Sequence, residues 1–105
     1  MRNLTVPPHT FGALYRYYKH GYEPGGFLTY IIINDAWSAA AIADEDNFPN
    51  LASIILFNGK ASAFQEDCKT NKDFSGFDLK WEAWRIRFSP SAEEIALDFG
   101  DPNDD

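Results

Sequence analysis

Apolar residues dominate one stretch of this 105-residue chain, residues 23–44. After Glu23-Pro24-Gly25-Gly26, only four polar residues interrupt it before Asp44: Thr29, Asn34, Asp35 and Ser38. A proline suits the first turn of a helix because its missing N–H would have no partner there. Alanine, frequent in residues 36–43, is the best helix former. The pattern predicts one long, nearly all-round apolar helix, which is typical of the buried centre of a bundle.

Another helix is predicted before this stretch. Its apolar and tyrosine positions recur at helical spacing, which places five residues on one face: Phe11, Leu14, Tyr15, Tyr18 and Tyr22. Thr10 is the expected N-cap, the helix runs to about His20, and Gly21 supplies the stop. Residues 1–9 contain Pro7 and Pro8, so an extended arm is predicted there.

The remaining segments allow two interpretations. A third helix is expected to begin near Asn47 or Asn50, residues 69–76 form a polar loop, and a helix or a strand covers residues 77–88. Against this, Asn58-Gly59 is a hairpin signal between two apolar segments. Apolar and basic side chains also alternate over residues 84–88, as they do in a half-buried strand. The predicted fold is therefore mainly α, a bundle of about four helices around a central apolar helix. The alternative is an α+β fold with a hairpin at Asn58-Gly59.

The C-terminal part carries most of the charge imbalance. The net charge is −7, and residues 93–105 hold six acids and no base. Ser91 and Glu94 have the spacing of a capping box for a short helix. We expect a single globular domain over residues 1–97 and a disordered acidic tail over residues 98–105.

The expected location is the cytoplasm. Cys68 is the single cysteine, so it has no partner for a disulfide within the chain. The first residues lead into prolines rather than into the apolar core of a signal peptide. The longest apolar stretch, residues 27–33, is too short to span a bilayer.

Catalytic and metal chemistry find little support in the sequence. Cys68 is the one candidate nucleophile, with His9 or His20 as its base, but flanking acids disfavour the thiolate. The histidines and the cysteine lack the short paired spacings of zinc sites. The acids at 44–46 lack the glycine and the glutamate of a calcium loop. We therefore expect no catalytic residue, no cofactor and no metal, and a protein that is not an enzyme.

A longer pattern of residues carries a resemblance. Tyr18 is followed by Gly25-Gly26-Phe27-Leu28, then by Asn34-Asp35, and then by Ala43-Asp44 and Asn47. This pattern, within about residues 14–60, resembles a family of small, mostly uncharacterised proteins encoded by phages and prophages. The resemblance implies a small helical phage-type protein and no fixed activity.

The aromatic content suggests a binding function. The chain has nine Phe, five Tyr and three Trp, and Tyr and Trp are the residues that most often anchor interfaces. The expected partner-binding surface combines aromatic residues with the first acidic cluster: Tyr15, Tyr17, Tyr18, Tyr22, Trp84, Asp44, Glu45 and Asp46. An aromatic core with tyrosine hydroxyls at its rim is the equally weighted alternative.

The expected function is stoichiometric binding to a host or defence protein. With the phage resemblance, this includes inhibition of a nucleic-acid-targeting complex such as a CRISPR effector. The alternatives are an adaptor in phage development and a small nucleic-acid-binding regulator that uses basic and aromatic faces. The acidic balance makes direct nucleic-acid binding the weaker alternative, and a homodimer stays open.

Overall fold

The computed structural model describes residues 5–89, which form five α-helices and no strand. The helices are α1 (Pro8–His20), α2 (Gly26–Ile32), α3 (Ala36–Ile42), α4 (Leu51–Asn71) and α5 (Phe77–Phe88), and a 3-10 turn at Phe48–Asn50 precedes α4. The mainly α prediction is confirmed. The Ser91–Glu94 capping box and the acidic tail lie outside the described residues.

The aromatic core lies between α1, α4 and α5. Trp81 of α5 is completely buried, and its ring centroid lies 5.3 Å from that of Phe11 in α1 and 5.4 Å from that of Phe57 in α4. The buried residues of α5 recur at helical spacing along one face: Phe77, Trp81, Trp84 and Phe88. The helical interpretation of residues 77–88 is thus confirmed, and Asn58-Gly59 lies inside α4 rather than in a hairpin.

The prediction of a single central helix over residues 24–44 is wrong. The backbone of Asn34 is left-handed, with φ 68°, and this separates α2 from α3. Asp35 then caps α3, because its carboxylate accepts from the Ser38 backbone N–H at 3.1 Å and from the Ser38 hydroxyl at 2.8 Å. A Cβ placed on Gly26 would lie 3.5 Å from Ile42, so the end of α3 lies beside the start of α2. The two helices form a hairpin.

The hairpin packs on the rest of the fold through a few residues. Leu28 and Ile31 of α2 and Ala39 of α3 are buried in the core. The remainder of α3 is largely exposed, so this apolar segment covers one side of the molecule instead of forming its centre.

The two ends of α1 differ in their agreement with the prediction. Gly21 ends the helix in a left-handed conformation, with φ 76°, and its N–H donates to the Tyr17 carbonyl at 2.9 Å. The start is earlier than expected: Pro8 and His9 belong to the first turn and Pro7 is the N-cap, because a proline is tolerated at the first helical position. Thr10 is therefore not a cap, and of the predicted arm only Thr5, Val6 and Pro7 precede the helix among the described residues.

The segment before α1 is fixed to the end of α5. The Val6 N–H donates to the Phe88 carbonyl at 2.9 Å, and the Ser89 hydroxyl donates to the Val6 carbonyl at 2.6 Å. At the other turn, α4 extends further than expected, to Asn71, so only residues 72–76 connect it to α5. Within residues 5–89, no helix combines the length and the apolar character that crossing a membrane requires.

Candidate binding surface

Three of the aromatic residues predicted to face a partner are core residues. Tyr15, Tyr18 and Trp84 are buried, with exposures of 1%, 6% and 7%. The Tyr15 hydroxyl donates to an Asp78 carboxylate oxygen at 2.8 Å. The helical spacing that placed these tyrosines on one face was correct, but that face points inward. Their assignment to a partner surface is corrected by their burial.

The hydroxyl of Tyr18 is enclosed by the contact between α1 and α4. It donates to the Asn58 side-chain oxygen at 2.6 Å. Burial raises the pKa of Tyr18 to about 12, because a phenolate there would lose its hydration. A hydrogen bond with Ser62 acts in the opposite direction and is the smaller effect. Tyr18 is thus a structural residue that stays neutral at physiological pH.

The other predicted residues do not form one continuous surface. Tyr17 and Tyr22 are half-buried at the C-terminal end of α1 and just after it. The acidic turn, by contrast, lies beside the N-terminal end of α1, where His9 Nε2 is 4.0 Å from Asp44 Oδ2. Tyr17 lies eight residues further along α1, which corresponds to about 12 Å along a helix axis.

The acidic turn itself has a structural role. One Asp44 oxygen accepts from the backbone N–H groups of Asp46 at 3.0 Å and of Asn47 at 2.8 Å. The side chain of Asn47 is buried and accepts a hydrogen bond from the Thr10 hydroxyl. Asp44, Glu45 and Asp46 remain exposed, so their charges face solvent.

The most exposed large apolar side chain among residues 5–89 is Trp37, on α3. It is 88% exposed, and with Ala40 and Ala41 it lines a shallow depression of about 240 Å³. We call these three residues the α3 surface. Ile33 and Ile42 are more than half exposed at the two ends of the hairpin. The sequence prediction missed this surface because it placed residues 24–44 inside the bundle.

Exposed apolar residues on α5 have a different setting. Leu79 is 77% exposed and Ile86 is 62% exposed, but charged residues lie next to them in the sequence: Asp78, Lys80, Arg85 and Arg87. Residues 36–43 contain no charged residue. The α3 surface is therefore the more strongly apolar of the two, and an interface core is depleted of charge.

Three basic residues of the predicted basic and aromatic faces make contacts within the protein. Lys19 Nζ lies 2.6 Å from an Asp78 oxygen, and Arg85 forms an ion pair with Glu82. Hydrogen bonds from Arg85 hold the pKa of Glu82 below its usual value. Lys80 lies over the Trp84 ring, 5.4 Å from its centroid. The two ion pairs offset positive charge that phosphate binding would need.

Cys68 is buried in the groove between the end of α4 and α5. Burial raises the pKa of its thiol, and the charges of Asp73 and Asp67 raise it further. Within the described part of the chain, the residues that line this groove of about 550 Å³ include no histidine: Phe64, Asp67, Cys68, Asn71, Asp73, Ser75, Gly76, Leu79, Lys80 and Ala83. A thiolate nucleophile is disfavoured in this setting.

Comparisons with protein-family models, with curated proteins and with solved structures found no match to this chain.

Proposed function

We propose that this protein acts by stoichiometric binding to another protein, through the α3 surface and without catalysis. The observation that supports the proposal is the exposure of Trp37, at 88%, on a helix that is held to the core by the completely buried Ala39. A tryptophan inserted into a partner's pocket buries about 150–250 Å² at a small cost in side-chain entropy. Such residues are the usual anchors of protein interfaces.

The charges around the hairpin support a partner with a basic surface. Between residues 20 and 59 the chain has five acids and no lysine or arginine: Glu23, Asp35, Asp44, Glu45 and Asp46. The α3 surface is thus an uncharged apolar patch in an acidic neighbourhood. A complementary partner offers an apolar pocket for the indole with Lys or Arg side chains at its rim, because complementary charge steers association and fixes orientation.

The identity of the partner class comes from the phage resemblance alone. It indicates a host or defence protein, with a nucleic-acid-targeting complex such as a CRISPR effector as one case. A protein that binds nucleic acid carries basic grooves, which agrees with the basic rim inferred above. A partner used in phage development would need the same two features.

Affinity capture from bacterial lysate tests this function. The tagged protein is incubated with lysate that has been treated with nuclease, and with untreated lysate as the control. We expect a protein to be enriched from both lysates, and less of it when Trp37 is replaced by alanine. Enrichment only from the untreated lysate would assign nucleic acid as the ligand and contradict the proposal.

A further inference from the structure

Three side chains that can ligate a metal meet beside the N-terminal end of α1. His9 comes from the first turn of that helix, and Asp44 and Asp46 come from the turn that follows α3. One potential ligand atom from each lies within 4.8 Å of the other two. We propose that these residues form a binding site for a divalent first-row transition cation, such as Zn²⁺.

The two segments that supply the ligands are joined by a buried contact. Thr10, next to His9, donates a hydrogen bond to the side chain of Asn47, next to Asp46. Both Thr10 and Asn47 are buried, with exposures of 2% and 6%. The backbone positions of the ligands are therefore set by the fold, and an ion has only the side chains to order. A preformed arrangement lowers the entropy cost of binding.

The orientation of Asp44 also suits a cation. Its Oδ1 atom accepts the two backbone N–H groups of the turn, at 3.0 Å and 2.8 Å. Its Oδ2 atom is the one on the side of the imidazole, 4.0 Å from His9 Nε2. The carboxylate therefore keeps one oxygen for the turn and presents the other to the site.

The distances are compatible with one shared ion. Ligands that bind a tetrahedral zinc at 2.0–2.2 Å lie about 3.3–3.6 Å from one another. The three side chains are exposed, so small rotations bring their ligand atoms from within 4.8 Å to that separation. Three protein ligands leave at least one position of the ion open to water.

The donor set favours a transition metal. One imidazole nitrogen with two carboxylate oxygens matches Zn²⁺, Co²⁺ or Mn²⁺, whereas Ca²⁺ and Mg²⁺ prefer oxygen ligands alone. The exposed Glu45 adds negative charge to the same turn, and no lysine or arginine occurs between residues 20 and 59. The acidic turn thus attracts a cation. A bound ion would also join α1 to the turn before α4 by a second connection.

Isothermal titration of the tag-free protein with Zn²⁺ tests this site. We expect one ion per chain, and at least tenfold weaker binding in His9→Ala and in Asp46→Asn. Glu45→Gln is the matched control, because it removes an equal charge from the same turn but no proposed ligand. The three substituted side chains are exposed, so circular dichroism should show unchanged helix content. Zn²⁺ should raise the melting temperature of the wild type and of Glu45→Gln, and less that of the two ligand variants.

Three results would overturn the site. The first is a wild type that binds no Zn²⁺. The second is His9→Ala binding as tightly as the wild type, which would leave His9 and Asp44 as neighbouring surface side chains. The third is Glu45→Gln losing as much affinity as Asp46→Asn, which would show general attraction to an acidic turn.

Discussion

The hydroxyl of Tyr18 donates a 2.6 Å hydrogen bond to the side-chain oxygen of Asn58, and this bond connects α1 to α4 inside the protein. Both residues are buried, so neither group can turn to water if the other is removed. A buried polar group left without its partner costs about 1–3 kcal/mol. Tyr18→Phe should lower the free energy of unfolding in urea by that amount. Tyr17→Phe, at the neighbouring half-buried position, is the control and should have a smaller effect.

The same residue gives the protein a measurable pH dependence. The pKa of Tyr18 is about 12 in the folded protein against 10.0 for an ordinary tyrosine. A pKa raised by folding contributes stability that is complete below about pH 10 and is lost as the pH rises through about 12. The difference in unfolding free energy between wild type and Tyr18→Phe should therefore shrink over this range. Absorbance at alkaline pH should show late tyrosine ionisation, and Tyr18→Phe should reduce this late step by one tyrosine.

A glycine in α4 separates the helical fold from the hairpin alternative. Gly59 lies within the helix, and a Cβ added there would meet no atom within 4 Å. Gly59→Ala should stabilise the protein by about 1 kcal/mol, because alanine is the better helix former. Gly21→Ala is the opposite case. The backbone of Gly21 is left-handed, with φ 76°, so a Cβ there should lower the stability of the protein. Chemical unfolding of both variants checks the pair, and loss of stability in Gly59→Ala would contradict the helix.

The cap of α3 supports the hairpin that carries Trp37. Asp35→Ala removes the carboxylate that accepts from the Ser38 N–H, and should cost about 1 kcal/mol of stability. Asp35→Ser should retain most of the stability, because serine is an equally good N-cap. Hydrogen exchange would locate the effect: amides in residues 36–42 should exchange faster in Asp35→Ala than in Asp35→Ser. Equal exchange in the two variants would contradict the capping role.

Local sequence signals predicted helix α1 well. The spacing of Phe11, Leu14, Tyr15 and Tyr18 identified a buried face, and Gly21 identified the end of α1. Such signals depend only on neighbouring residues in the chain, so they can be recognised in the sequence without knowledge of the fold. The same spacing did not show whether that face would meet the core or a partner, because both surfaces are apolar and aromatic.

The break at Asn34 and Asp35 was harder to predict. The isoleucine-rich residues 27–33 have strand propensity, and a turn at Asn34-Asp35 was the competing interpretation. The length of residues 24–44 and their alanine run favoured an unbroken helix instead. Asparagine tolerates a left-handed backbone, and Asp35 with Ser38 three residues later has the spacing of a cap. That local signal was present in the sequence. Whether the helix breaks there depends on the packing of Leu28, Ile31 and Ala39 on the core. The approach of His9 to Asp44 depends on the same tertiary packing, so periodicity could not indicate it.

The central claim is that Trp37 anchors a partner protein, and a matched pair of variants tests it most directly. Trp37→Ala and Leu79→Ala each remove a large side chain, which is 88% or 77% exposed, so both should fold as the wild type does. The measurement is the affinity of each variant for the protein captured from lysate, by isothermal titration. We expect at least tenfold weaker binding for Trp37→Ala and unchanged binding for Leu79→Ala. Unchanged binding by Trp37→Ala would contradict the central claim.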